Sequence, residues 1–268
     1  MKRLLTLTLV FVTVIGLLFA ATQTLSLAKS SVVATDSMQT ANQLYEAGQF
    51  PQAAQAYQQI ADQGLADSTL YFNMGNAYYK QGDFGRAILN YRLAEQLAPR
   101  DADIEANLEM ARAQVAGEEV AAEEAGFFDN IAGFGQEYLT LNELALLALG
   151  MWVLFVALVM IVQGTRKGSL VRETVQVALV VSALLLTVSA FGLGNRLYIE
   201  NSHPEGVIVA TEVSVTSGPG SQYASEFTLT NGEEVEIVES RENWVRLALP
   251  DTELQGWVPI NAIEVVLG

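Results

Sequence analysis

The chain has 268 residues, with 30 acidic and 14 basic side chains, one histidine and no cysteine, for a formal net charge of -16. So acidic a surface excludes nucleic acid as a partner, because a phosphate backbone is repelled rather than neutralised, and the absence of cysteine excludes disulfide staples and thiolate metal sites. Apolar residues make up 51% of the chain but are gathered into blocks, so length alone does not set the number of domains.

The first block runs from Leu4 to Ala21 behind Met1, Lys2 and Arg3. Residues 1–28 read as a signal peptide or an N-terminal anchor, with cleavage sites after Ala20 or Ala28. Either version sends the following segment to the non-cytoplasmic side, and with no cysteine a lipid anchor has no attachment point.

Next comes an internal repeat. Ala41, Leu44, Gly48, Phe50, Ala53 and Tyr57 are answered, at one constant interval, by Gly75, Tyr78, Gly82, Phe84, Ala87 and Tyr91. The small residues let two helices of a unit approach closely, and the aromatic residues fill the space between them. A period of about 34 residues with two helices per unit resembles the tetratricopeptide repeat, whose units bury their apolar faces only by stacking. The units are residues 34–67 and 68–101. Tyr71, Met74, Gly75, Tyr78, Ala87, Tyr91, Ala94 and Pro99 make the second the fuller match, whereas Leu65 stands in the first where Pro99 would place a proline. Asp101 as N-cap, with Ile104, Leu108 and Ala111 at helical spacing, predicts a capping helix over residues 102–115 and a repeat region of residues 34–117.

Residues 118–142 read as a linker, acidic at first (Glu118, Glu119, Glu123, Glu124) and then aromatic (Phe127, Phe128, Phe134, Tyr138). The aromatic part is expected along the membrane surface. Residues 143–163 and 173–194 are two apolar runs, each long enough to cross about 30 Å of hydrocarbon. The loop of residues 164–172 carries Arg166, Lys167 and Arg172, which marks it as cytoplasmic. Two spans return the chain to its starting side. Residues 36–125 hold 14 acidic and 5 basic residues, and residues 200–268 hold 12 and 2. Both soluble parts lack the positive charge that would keep them in the cytoplasm. Ala178 and Ser182 form a small-xxx-small step suited to a close helix contact.

Over residues 203–268 the pattern changes after Arg196 to short alternating strands: Val207 and Val209, Val213 and Val215, Phe227 and Leu229, Val235 and Ile237, Val245 and Leu247. Asn231-Gly232 is a two-residue hairpin signal. The turn Ser217-Gly218-Pro219-Gly220, the strand from Gly232-Glu233, the strand opening at Asn243-Trp244 and the closing Gly256-Trp257-Val258-Pro259 resemble the bacterial SH3 domain, a small barrel. That family often has arginine before its Ser-Gly-Pro turn, where this chain has Thr216. Trp244 and Trp257 are expected as core or strand-packing residues; the alternative is a ligand surface that stacks on sugar or peptide.

No signature of catalysis is found: no HExxH, no phosphate-cradling glycine loop with lysine, no GxSxG, and His203 lies in a linker. The chain is expected to be no enzyme and to need no cofactor or metal. The fold class read from the sequence is multi-domain: an all-α tetratricopeptide repeat, a two-helix transmembrane hairpin and a small all-β SH3-like barrel.

In tetratricopeptide stacks the first helix of each unit lines a groove, and the resemblance places Asn42, Asn73, Asn76 and Asn107 there as peptide-binding candidates. An asparagine amide donates and accepts at once, as an extended peptide requires. Replacing Asn73 and Asn76 together by alanine is expected to weaken capture and to leave the helices intact. Asn42 and Asn73 match positions of the family's clamp for a C-terminal carboxylate. The basic positions of that clamp are Met38, Asp103 and Asn107 here, so an internal or basic segment is expected instead.

The order of signal, repeats, two spans with a basic loop and SH3-like barrel resembles the BatE-like proteins of the aerotolerance group. That resemblance implies a scaffold beside von Willebrand A-domain proteins and a MoxR-type ATPase. The expectation is a multi-pass membrane protein with both soluble domains extracytoplasmic, whose partners are other membrane or extracytoplasmic proteins. Cell-wall (peptidoglycan) binding through the barrel is the alternative, and an accessory subunit acting through its spans is a third reading.

Overall fold

A computed structural model describes residues 36–116, 139–202, 204–250 and 252–266. The leader (residues 1–28), most of the acidic and aromatic linker, and His203 lie outside the described residues. The chain divides into two compact units: one holds two long apolar helices, and the other holds the repeats together with a set of β-strands.

The repeat unit begins with a helix over residues 36–46, α1. It continues with α2 (Phe50–Ala61), α3 (Ser68–Gln81), α4 (Phe84–Leu97) and α5 (Ala102–Ala116). Local chemistry sets the boundaries. The carboxylates of Asp67 and Asp83 accept from the backbone N–H groups of Leu70 and Arg86 at 3.0 and 3.2 Å, and Asp101 accepts from those of Asp103 and Ile104. These satisfy helix-start donors that have no partner within the helix. Gly48 and Gly82, at the same place in successive repeats, follow α1 and α3 with φ of 74° and 79°, in the left-handed region where a side chain is disfavoured.

The packing repeats with the sequence. Ala41, Ala53, Ala87 and Ala94 are fully buried, and Tyr57 and Tyr91 are each 1% exposed between the helices. A Cβ on Gly75 would stand 2.7 Å from the Tyr91 ring, so α3 and α4 meet at a distance only glycine permits. Tyr45 meets Phe50 edge-on with centroids 5.3 Å apart, and Tyr79 meets Phe84 in the same way at 5.5 Å. Each buried Leu or Ile, such as Leu70, Ile88 or Leu108, contributes about 1.5–3 kcal/mol.

The apolar unit contains α6 (Leu141–Gly164) and α7 (Leu170–Ser202). Thr140 and Glu143 form a reciprocal capping box at the start of α6. Mean hydropathy reaches 2.8 over an 18-residue stretch of α6 and 2.3 over one within Leu170–Asn195 of α7. Both helices are long and apolar enough to cross a membrane, and almost none of this surface is covered by protein. On α7 the covered positions Val175, Leu179, Ser182, Leu186 and Ser189 recur every three or four residues, and Ser182 is 2% exposed. Leu184, Val188 and Phe191 stand open. The loop between the helices is tied back by the Arg172 guanidinium, which donates to the Thr165 carbonyl at 3.1 Å.

The change to strand comes later than the sequence pattern implies. α7 continues past Arg196 to Ser202, since Leu197–Ser202 contains nothing that stops a helix until Pro204, which disfavours helical geometry in the residue before it. Seven strands follow: β1 (Glu205–Ile208), β2 (Glu212–Thr216), β3 (Ser225–Thr230), β4 (Glu234–Arg241), β5 (Trp244–Ala248), β6 (Gln255–Pro259) and β7 (Ile263–Val265). All pairings are antiparallel, in the order β3-β2-β6-β5-β4-β1-β7. Leu229 of edge strand β3 and Ile263 of edge strand β7 share one core with Val215, Val235, Val245, Leu247 and Val258, so the sheet curls around its own interior.

The expected hairpin at Asn231-Gly232 is not one. β3 pairs with β2, while β4 pairs with β5 and β1, so these residues form a corner between strands that do not bond to each other. Gly232 does take positive φ, 97°, as its turn requires. Val207 and Val266 pack with Ile88, Leu89, Tyr91, Leu108 and Ala111 in one cluster. The repeats and the β domain therefore share a core.

Candidate functional site

The four groove asparagines come together, in two equivalent pairs. The Tyr57 hydroxyl donates to Asn42 Oδ1 at 2.6 Å, and the Tyr91 hydroxyl to Asn76 Oδ1 at 2.7 Å. Asn73 Nδ2 donates to the same Asn42 oxygen at 3.4 Å, and Asn107 Nδ2 to the Asn76 oxygen at 2.8 Å. Each unit thus fastens its first helix to its own second helix through a tyrosine, and to the next unit's first helix through an asparagine. The ladder ties α1 to α3 and α3 to α5.

This arrangement divides the amides in two. The carbonyl oxygens of Asn42 and Asn76 are engaged by structural donors. The Nδ2 groups of Asn42 and Asn76 and the Oδ1 atoms of Asn73 and Asn107 take no part in those four bonds, and all four side chains are half-buried. Groups of this kind can pair with the N–H and C=O of an extended backbone. The tyrosines were not among the sequence candidates, although a signal existed: Asn42 precedes Tyr57 by the same interval, 15 residues, that separates Asn76 from Tyr91. Burial, helped by Tyr45 and Glu46, pushes the Tyr57 hydroxyl up to about 12, so it stays a donor throughout the neutral range. Burial raises Tyr91 further in the same direction.

One helical turn along the same face from the row stand the exposed Glu46, beyond Asn42, and Asp103, before Asn107, with Lys80 beyond Asn76 as their basic counterpart. Among the described residues, no group of three or more His, Asp or Glu side chains is placed to hold a metal ion.

Trp244 and Trp257 occupy different environments. Gly256 and Val258 point inward, as do Val245 and Leu247 on the neighbouring strand, so alternation turns both tryptophans to the outer side of the sheet. Trp257 is nonetheless only 6% exposed. The Arg241 guanidinium lies over its ring at 5.2 Å, itself held by Glu239 at 2.5 Å. Trp244 is half-buried, and its strand gives Val245 and Leu247 to the core cluster.

A second polar feature lies between the repeats and the β domain. Arg92 pairs with Glu205 and Glu234, Arg112 with Glu234 at 2.7 Å, and Arg86 with Glu264 at 3.3 Å. The helices supply every arginine of this belt and the strands every carboxylate. Although burial opposes its charge, Glu205 and Glu234 raise the Arg92 pKa. Asn231 reaches across as well, its Oδ1 accepting from the Gly85 backbone N–H at 2.6 Å and its Nδ2 donating to the Val209 carbonyl at 2.9 Å.

A stack of helix pairs with a repeated inter-unit hydrogen bond defines a helical-repeat protein of the protein-interaction class. Its second unit, residues 68–101, matches the family model of the tetratricopeptide repeat. Comparison with curated proteins gives no match.

Proposed function

We propose that this chain is a membrane-anchored extracytoplasmic scaffold, with no catalytic role, that holds an internal, basic segment of a protein partner along the row formed by α1, α3 and α5. The observation that carries the reading is the asparagine ladder. It sets amide groups at a fixed repeat spacing on a rigid support, in acidic surroundings that favour a cationic chain over a free carboxylate.

Two helices of membrane length support the anchoring, and the basic loop Arg166-Lys167 with Arg172 supports its orientation. Further support comes from the path of the chain, which leaves the repeats at Ala116 and rejoins the same core at Val207, as it must if both helix ends lie on one side of the membrane. The leader is read as a signal and the β domain as SH3-like from the motifs given above. The order of parts favours an envelope-stress assembly of the aerotolerance kind, with A-domain proteins and a MoxR-type ATPase as the partners to test first.

The test compares capture of partners from detergent-solubilised membranes by the intact chain and two charge variants. Asp103→Lys on α5 should weaken capture at least tenfold, about 1.4 kcal/mol, while Gln59→Lys on the exposed side of α2 should leave it unchanged. Equal capture by both variants removes the groove reading. If capture instead follows Trp244→Ala and goes to purified cell wall, the β domain is the binding module.

A further inference from the structure

The two repeat units differ along one stripe. On α2 the outward positions are Pro51, Gln52, Gln55 and Gln58, all exposed, as on a solvated helix. One repeat later the same positions on α4 are Gly85, Arg86, Leu89 and Arg92, of which Gly85 and Leu89 are buried. Nothing inside the repeat requires that change, since α2 and α4 pack alike on their inner sides.

The β domain requires all of it. A Cβ on Gly85 would stand 2.4 Å from the Ile208 carbonyl oxygen, a backbone atom that cannot swing aside. Leu89 lies in the cluster with Val207 and Val266. Arg86 and Arg92 reach Glu264, Glu205 and Glu234. Asn231 caps the Gly85 N–H, so the α4 N-terminus carries one cap from its own Asp83 and a second from a strand corner 146 residues away. On α5, Gly232 comes so close that a Cβ would lie 2.4 Å from Val115 Cγ2.

Together these contacts cover α4 and α5, the two helices against which the second helix of a third unit would pack. No second helix of a third unit is found there among the described residues. We propose that the β domain is the C-terminal cap of the repeat stack, covering the face of α4 and α5 on which a further helix would pack, and that repeats and β domain fold as one cooperative body. Repeat stacks need a terminal unit with a polar outer face, and the acidic outer surface of the strands supplies it. The proposal does not depend on what the groove holds.

The test is thermal unfolding of the full chain in detergent, in a Trp152→Phe background so that Trp244 and Trp257 report the β domain while far-UV dichroism reports the repeat helices. The chain should show coincident transitions by the two probes. Leu89→Gln with Arg92→Gln gives α4 the residues that α2 already carries in a stable helix. This pair should lower the helical transition by several degrees and separate it from the fluorescence transition. Glu234→Arg should act in the same direction, with partial recovery on adding Arg112→Glu. Separate transitions in the unsubstituted background, or a helical transition that ignores these changes, would overturn the proposal.

Discussion

Asn76→Ala is the substitution whose outcome the geometry fixes most closely. The Asn76 carbonyl accepts from the Tyr91 hydroxyl at 2.7 Å and from Asn107 at 2.8 Å, and Tyr91 is 1% exposed. Truncation leaves a buried phenol without an acceptor, which costs about 1–3 kcal/mol. Tyr91→Phe removes the donor but leaves the Asn76 carbonyl paired with Asn107, so it should cost only about 0.5–1.5 kcal/mol. In the double variant nothing buried is left unpaired on the Tyr91 side, and its cost should fall below the sum of the singles by about 1 kcal/mol. For a body of this size each kcal/mol moves the midpoint by about 2–4 °C, so circular dichroism melts of the four proteins resolve the cycle. Strict additivity, or an Asn76→Ala midpoint equal to that of the parent, would refute a structural role for the ladder. The double replacement of Asn73 and Asn76, expected from the sequence to leave the helical content intact, should therefore lower the melting midpoint through Asn76.

Other consequences are equally open to measurement. Gly232→Val places a branched side chain at φ 97° and against Val115, and should destabilise the unit by about 2 kcal/mol or more in urea unfolding, beyond the turn strain alone. Trp257→Ala should destabilise the β domain more than Trp244→Ala, because Trp257 is enclosed under Arg241 while Trp244 is half-open; equal costs in chemical denaturation would contradict that placement. The Tyr57 hydroxyl titrates near 12 when folded against 10 when unfolded, so its contribution is complete below pH 10 and is lost as pH rises toward 12. Urea midpoints across that range should slope downward, and Tyr57→Phe should flatten the slope. Because the chain has no cysteine, single substitutions Gln59→Cys, Lys167→Cys and Glu226→Cys can be labelled cleanly in whole cells. An impermeant maleimide should reach the first and third, and the second only after permeabilisation; early labelling of the second would reverse the topology.

The repeat was legible because its signal is local and doubled: two glycines in phase, two alanines in phase and two tyrosines in phase leave one way to stack. The apolar helices were legible from length and charge alone. What escaped the sequence was long-range. Asn231-Gly232 has the composition of a hairpin, but which strands pair is decided by the core as a whole, and here β3 and β4 face different neighbours. β7, three residues long, carries too little alternation to be seen, although it pairs with β1 and closes the core. The asparagine row was legible as a repeat at constant spacing, but the hydroxyl bonds that anchor it were not, because a hydroxyl buried between helices has no signature beyond its spacing. The docking face was visible in principle: glutamines of the first unit become leucine and arginine in the second, a departure that has meaning only once something is known to cover it.

The claim that the first-helix row receives a partner is tested most directly by a photo-crosslinking amino acid placed at Asp103 or Met38 in the full chain in living cells, with Gln55 on the outer side of α2 as the comparison. Discrete protein adducts at Asp103 and Met38, weakened at least tenfold by Asp103→Lys when the probe is at Met38, are expected. Adducts confined to Gln55, or equal at all three positions and indifferent to the charge change, would contradict it.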